Sequence, residues 1–265
     1  SFNTARDITL TQASGVDVAS NTALSLAGAI TGNGELSKLG TGILTLSGIN
    51  TYTGGTTVNS GTLLADDAGA FTANTAYVVN GGVLDLGGFN LQMSSLSGSG
   101  GTVTMDAAAL TVNQAINTTY AGALSGNGVF TKAGAGQLTL TGMNTYTGDT
   151  TVSGGTLRVD GSIASSSMTT IVSGATLSGS GTLGNTFIDS GATLAPGGVG
   201  TTLTVDGDLT IASGAIYQLY ADPSSTQSTQ VNVTGTALLQ GGAVMHMGPN
   251  GTYVSGIDYT ILTAD

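Results

Sequence analysis

Gly32 to Leu64 reads GNGELSKLGTGILTLSGINTYTGGTTVNSGTLL, and Gly126 to Arg158 reads GNGVFTKAGAGQLTLTGMNTYTGDTTVSGGTLR. The blocks align without a gap at an offset of 94 residues and agree at 21 of 33 positions. Most of the shared residues are Gly, Thr, Asn, Leu and Val, which set backbone geometry and packing; one Lys and one Tyr position are shared as well. A repeat of short β-runs punctuated by turn residues is the signature of a solenoid. Within each block Leu44-Thr45-Leu46 and Leu138-Thr139-Leu140 alternate with period two, so the leucines share one face. Thr56-Thr57-Val58 and Thr150-Thr151-Val152 are β-branched and bounded by Gly, again as strands are.

A smaller period runs through the larger one. Gly followed by a Leu- or Val-bearing run recurs at Gly42, Gly61, Gly82 and Gly101, then at Gly136, Gly155 and Gly174. Most steps are 19 to 21 residues, and the 35-residue step from Gly101 to Gly136 reads as two rungs, one passing near Leu110-Thr111-Val112. Rungs of about 20 residues stacked about 4.8 Å apart predict some 13 rungs and a rod of about 60 Å. No stretch repeats apolar residues at i, i+3, i+4 and i+7, so the expected class is all-β.

Composition agrees. Gly supplies 44 of 265 residues, charged residues only 7% and hydrophobic ones 40%, enough for a core. Cysteine is absent, which removes disulfides, thiolate metal sites and a Cys nucleophile. A net charge of −11 with only Arg6, Lys38, Lys132 and Arg158 as cations excludes nucleic acid as a partner. No run of about 18 apolar residues predicts a membrane-spanning helix. The start, SFNTARDITL, has no signal-peptide pattern, so an export signal is expected upstream.

From Gly174 the character changes. Rungs continue with tighter spacing until Pro196-Gly197-Gly198, which reads as a break; Pro223–Gln230 reads as a polar loop and Gly241-Gly242 as a turn. Tyr217, Tyr220, Tyr253 and Tyr259 put half of the eight tyrosines in the last fifth, which suggests a better-packed terminal module. The expected division is a stalk over residues 1–173 and a terminal module over 174–265.

The pattern GxGxLxKxGxGxLTLxGxNTYTGxTTVxxGTL resembles the passenger-associated transport repeat of bacterial autotransporters. SGATLSGSGTLGN…SGATLAPGG followed by LTVDGDLTIASGAIYQLYAD is similar to the lead-in to that family's C-terminal passenger module. GTYVSGIDYTILTAD is similar to the end of that module, the autochaperone region. Gln230 stands where the family commonly has Asp before the strand matched by Val231-Asn232-Val233. The resemblance implies a right-handed parallel β-helix with a C-terminal capping and autochaperone module, exported to the bacterial surface through type V secretion. It also implies a β-barrel translocator beyond Asp265 as partner. The function it implies is a stalk that templates passenger folding and outer-membrane translocation. An adhesin surface for host or neighbouring cells, and a carrier for an upstream protease or esterase, are the alternatives.

No catalytic, cofactor-binding or metal-binding residue is expected. His246 is the lone histidine and a Ser-His-Asp triad needs one beside Ser and an acid. Asp66-Asp67 and the pair Asp206 and Asp208 read as turn residues rather than general acid and base. Neither the GGxGxDxUx calcium repeat nor EF-hand spacing occurs. GNG, GTG and GSG precede no helix, and Lys38 and Lys132 are not followed by Ser or Thr as a P-loop requires. Lys38 and Lys132 share a motif position and read as solvated charges at one corner of equivalent rungs. Tyr52 and Tyr146, likewise equivalent, read as packing beside a turn. Thr56-Thr57 and Thr150-Thr151 hint at threonine arrays, but intervening rungs are expected to lack them.

Overall fold

The alternation of inward Leu or Val with outward Thr produces short strands of two to five residues, every ladder between them parallel. The computed structural model describes residues 1–248 and 258–264, and among these it contains strands, turns and no helix. The chain winds as a β-solenoid of about 11 turns, each coil laying one strand on each of three faces.

The first face begins with Phe2–Thr4, Ala23–Leu26 and Ile43–Leu46 and continues to Ala123–Ser125. It passes through Thr145, whose N–H donates to Leu124 O, into a second sheet that runs from Ser162–Ile163 to Leu262–Ala264. The second face starts with Ile8–Leu10 and Ile30–Gly32 and includes Val129–Ala133, Thr150–Val152 and Leu209–Ile211. The third face carries Ser14–Asp17, Leu36–Leu39, Thr56–Val58, Ala76–Val79 and Ser95–Ser97. It then crosses the Gly98–Tyr120 bridge to Thr118–Tyr120, Gln137–Leu140, Thr156–Val159 and onward to Gly242–His246.

The core is a set of inward columns. Leu44, Leu63, Leu84, Val103 and Leu124 stack in register on the first face, and Leu138, Leu157, Leu177 and Leu194 on the third. All are fully buried, as are Leu46 and Leu140, which bears out their inward assignment. Each such side chain contributes roughly 1.5–3 kcal/mol by leaving water. Corners are tight: a Cβ on Gly61 would lie 2.3 Å from Gly42 O, and Gly61 itself has φ +65°.

Several expectations change. The step from Gly101 to Gly136 is one coil and two further faces, because Val103 lies on the first face and Leu138 on the third. Leu110-Thr111-Val112 belongs to the second face and is not a rung of its own. The number of turns falls below 13 because coils near the C-terminal end are long: Leu203 pairs with Val231 and Val231 with Leu262. Coils after Gly174 are first shorter, as expected, with Leu177 opposite Leu194. Pro196 does not break the stack; it ends a strand opposite Gly179, and Thr202–Val205 resumes the ladder. Among the described residues Tyr52, Tyr77, Tyr120, Phe130 and Tyr146 are fully buried and Tyr217 nearly so, whereas Leu239, Val244 and Met245 near the C-terminal end are exposed. The stretch 249–257, including Tyr253, lies outside the described residues.

Candidate functional site

The repeats are the part of the chain where polar chemistry enters the core. The first block places Leu36–Leu39 on the third face, and the second places the equivalent Val129–Ala133 on the second face. Counting strands explains this. From Leu36–Leu39 the third face advances four coils to Thr118–Tyr120, after which the chain crosses the first face before reaching Val129. Ninety-four residues therefore equal four coils and two faces, and the same sequence is presented in two different directions.

What the copies share is directed into the rod. Asn50 accepts the Ile30 N–H at 2.7 Å and donates to Ala70 O at 2.7 Å. Asn144 accepts the Leu124 N–H at 2.9 Å and donates to Ser162 O at 2.9 Å and Gly142 O at 3.2 Å. Each asparagine thus ties its own coil to the one before and the one after. Tyr52 and Thr56 share a hydroxyl hydrogen bond of 2.7 Å, and Tyr146 and Thr150 one of 2.5 Å. The Phe130 and Tyr146 rings meet edge to face at 6.0 Å, so both tyrosines pack beside the turn as the sequence suggests. Burial pushes the phenols of Tyr52, Tyr77, Tyr120, Tyr146 and Tyr217 above their ordinary value.

The lysines correct the sequence reading. Lys38 and Lys132 are fully buried, and they sit at different corners of the rod. Lys38 Nζ donates to Leu39 O (2.7 Å), Gly40 O (2.7 Å) and Ser60 O (3.1 Å). Lys132 Nζ donates to Ala133 O (2.8 Å), Gly134 O (3.1 Å) and Gly154 O (3.1 Å). Three ammonium donors meet three carbonyls in each case. Gly40 and Gly134, at φ +67° and +76°, form the turns that carry two of the three carbonyls back toward the amine. Desolvation lowers the pKa of Lys132 to about 8; it also lowers that of Lys38, opposed there by the charge of Asp17. Gln114, also buried, serves a corner without charge, donating to Ile116 O and Gln137 O. The sequence carries a signal for burial at Lys132 in the alternation Phe130-Thr131-Lys132, which puts the lysine on the side of Phe130.

Other candidates fall into place. Asp206 and Asp208 are exposed on either side of a bend at Gly207, as the sequence suggests, and they also reach the next coil: Asp206 accepts from Thr234 Oγ1 at 3.2 Å and Asp208 from Thr236 N at 2.8 Å. Asp67 does cap its own turn, accepting the Gly69 N–H at 2.8 Å. His246 ends an exposed strand beside Leu219, Ala221 and Tyr259. The threonine expectation is overturned on the second face, where Thr111, Thr131, Thr151 and Thr170 stack outward on four consecutive coils. Gln92 and Phe187 end the rank, and its lateral neighbours are mixed: Val129, Asp149 and Met168 on one side. At the C-terminal end Ile211, Tyr217, Leu239, Val244, Ile261 and Leu262 line an apolar cavity of about 430 Å³. Among the described residues no helix is long and apolar enough to cross a membrane, and this says nothing of membrane strands.

Comparison with known proteins matches the same blocks. The passenger-associated-transport-repeat family model fits residues 36–65 and 130–159. The chain is 43% identical over 144 residues to a protein of Brucella suis biovar 1 (strain 1330) named adhesin BmaC autotransporter; the match spans 51% of this chain and 4% of that protein. It is 54% identical over 61 residues to the extracellular serine protease of Serratia marcescens, which spans 23% of this chain and 6% of the relative. The chain therefore corresponds to a small part of each relative's length.

Proposed function

Because this chain is a β-helical stretch of an autotransporter passenger domain with two passenger-associated transport repeats, we propose that its work is mechanical: a surface stalk whose coils fold by templating one another. The observation that carries this reading is the offset of the repeats by four coils and two faces, which turns them in different directions. A binding epitope needs its residues on a common surface, and the two copies have none. Ile49 and Met143, the most exposed apolar residues of the blocks, sit at different corners. What the copies do share is Asn, Tyr, Thr and Lys directed at neighbouring coils.

In this reading the protein acts at the cell surface or outside the cell, with its own β-barrel translocator as partner. Residues 174–265 fold first and offer an open edge onto which earlier coils dock, since a one-dimensional stack propagates from whichever coil nucleates. The stalk is not an enzyme, and it holds a distal region away from the cell. Guanidinium unfolding followed by circular dichroism and limited proteolysis tests this. Two transitions, with a resistant core beginning near Gly174, support a nucleating module; one transition with no resistant core refutes it. The adhesin reading is favoured by the adhesin relative and by the outward threonine rank on the second face. Binding of the intact chain to cells or matrix that survives replacement of that rank by Lys refutes the rank as its surface. The carrier reading rests on the protease relative, in which a stretch like this one would support a catalytic segment elsewhere.

A further inference from the structure

Lys38 stands in register between Val16 and Val58, and Lys132 between Val112 and Val152. Each is a single charge with a valine on either side in its inward column. A fully apolar column tolerates exchange of similar volumes, and the backbone ladder reads no side chains, so neither distinguishes one register from another two residues away. A one-residue slip is already forbidden, because it would turn every inward side chain outward. A two-residue slip keeps the alternation, and the glycine-rich corners at Gly40 to Gly42, Ser60-Gly61, Gly134 to Gly136 and Gly154-Gly155 can absorb the change in length.

We propose that Lys38 and Lys132 are register keys, which admit the coil that follows in one alignment only. The geometry supplies the reason. Two of the three carbonyls around each ammonium belong to its own corner and travel with it. The third, Ser60 O or Gly154 O, belongs to the next coil, 22 residues on. A two-residue slip moves that carbonyl by about 6.6 Å and leaves a buried ammonium one acceptor short. An unsatisfied buried charge is among the most costly defects a core can hold. A lone polar residue in an apolar seam sets register in coiled coils by the same logic. The inference goes beyond the stalk reading and does not depend on what the rod carries.

The absence of cysteine makes the test clean. Thr131 and Thr151 lie opposite each other on the outward side of the second face. The pair T131C/T151C therefore reports the native register, while T131C/S153C and T131C/D149C report slips of two residues. The full chain is refolded from denaturant, oxidised, and its cross-links mapped by mass spectrometry. With Lys132 present, only T131C/T151C is expected to close. With Lys132→Met, the slipped pairs are expected to close as well, while S37C/T57C around the untouched Lys38 stays wholly native. A lysine that merely stabilised the coil would change the denaturation midpoint and yield no slipped cross-link. Closure of the native pair alone in Lys132→Met overturns the proposal. If that variant does not refold, the decision passes to Lys38→Met, with S37C/T57C against S37C/N59C, and native closure alone there overturns it equally.

Discussion

Replacing Asn144 by Ala tests whether the repeats act by joining coils. The side chain supplies the acceptor for the Leu124 N–H and donates to Ser162 O and Gly142 O. Those carbonyls keep other partners, since Ser162 O also accepts the Asn144 N–H and Gly142 O the Ser162 N–H. Leu124 N–H keeps none, and Leu124 is fully buried. An orphaned buried donor costs about 1–3 kcal/mol, and each lost bond about 0.5–1.5 kcal/mol, less where the carbonyl stays paired. The sum is about 3 kcal/mol. With a urea slope near 3 kcal/mol/M for a chain of this size, the midpoint falls by about 1 M. A stack need not unfold in one step, so amide exchange is the sharper assay. Leu124 should lose protection in Asn144→Ala, and Ile30 in Asn50→Ala, each without effect on the other block. The exposed Asn113→Ala is the control. A midpoint shift no larger than that of the control, or unchanged exchange at Leu124, refutes the coil-joining role.

Replacing Leu138 or Leu140 by Asp buries an unpaired carboxylate and should cost several kcal/mol; an unchanged denaturation midpoint refutes the inward assignment. Stability should rise with pH from about 8, because Lys132 sheds its proton near there when folded but near 10.5 when unfolded, so the unfolded chain holds more protons across that window. Above about 10 the buried tyrosines act in the opposite sense, their protons being lost from the unfolded chain first. The double variant Lys38→Met with Lys132→Met should flatten the rise, as followed by urea titrations at each pH. Deleting Gly200 to Asp265 should slow or abolish refolding of the remainder, measured by circular dichroism; refolding at the full-length rate counts against C-terminal nucleation. Thr169 Oγ1 is buried and, among the described residues, has no hydrogen-bond partner, so Thr169→Val should leave thermal stability equal or raised by about 1 kcal/mol.

The all-β class, the period near 20 residues, and the inward leucines at 44, 46, 138 and 140 were legible in the sequence. Each rests on local alternation, in which successive side chains must point to opposite sides of a strand. Tyr52 and Tyr146 were legible for the same reason, as large apolar rings beside a turn. The face on which each strand lies was not. It follows from the summed lengths of all the corners before it, and corners here vary enough that 94 residues amount to four coils and two faces. The burial of Lys38 and Lys132 escaped a reading that takes charge as exposed. Alternation points Lys132 inward, but only the stacked coil brings Gly154 O to its ammonium. Asp206 and Asp208 do flank a turn, but their second role, accepting from Thr234 and Thr236, needed the next coil to be in place. Local chemistry decides which way a side chain points; which acceptor it finds there depends on a neighbouring coil some 20 residues away, and the winding of the whole rod places that coil.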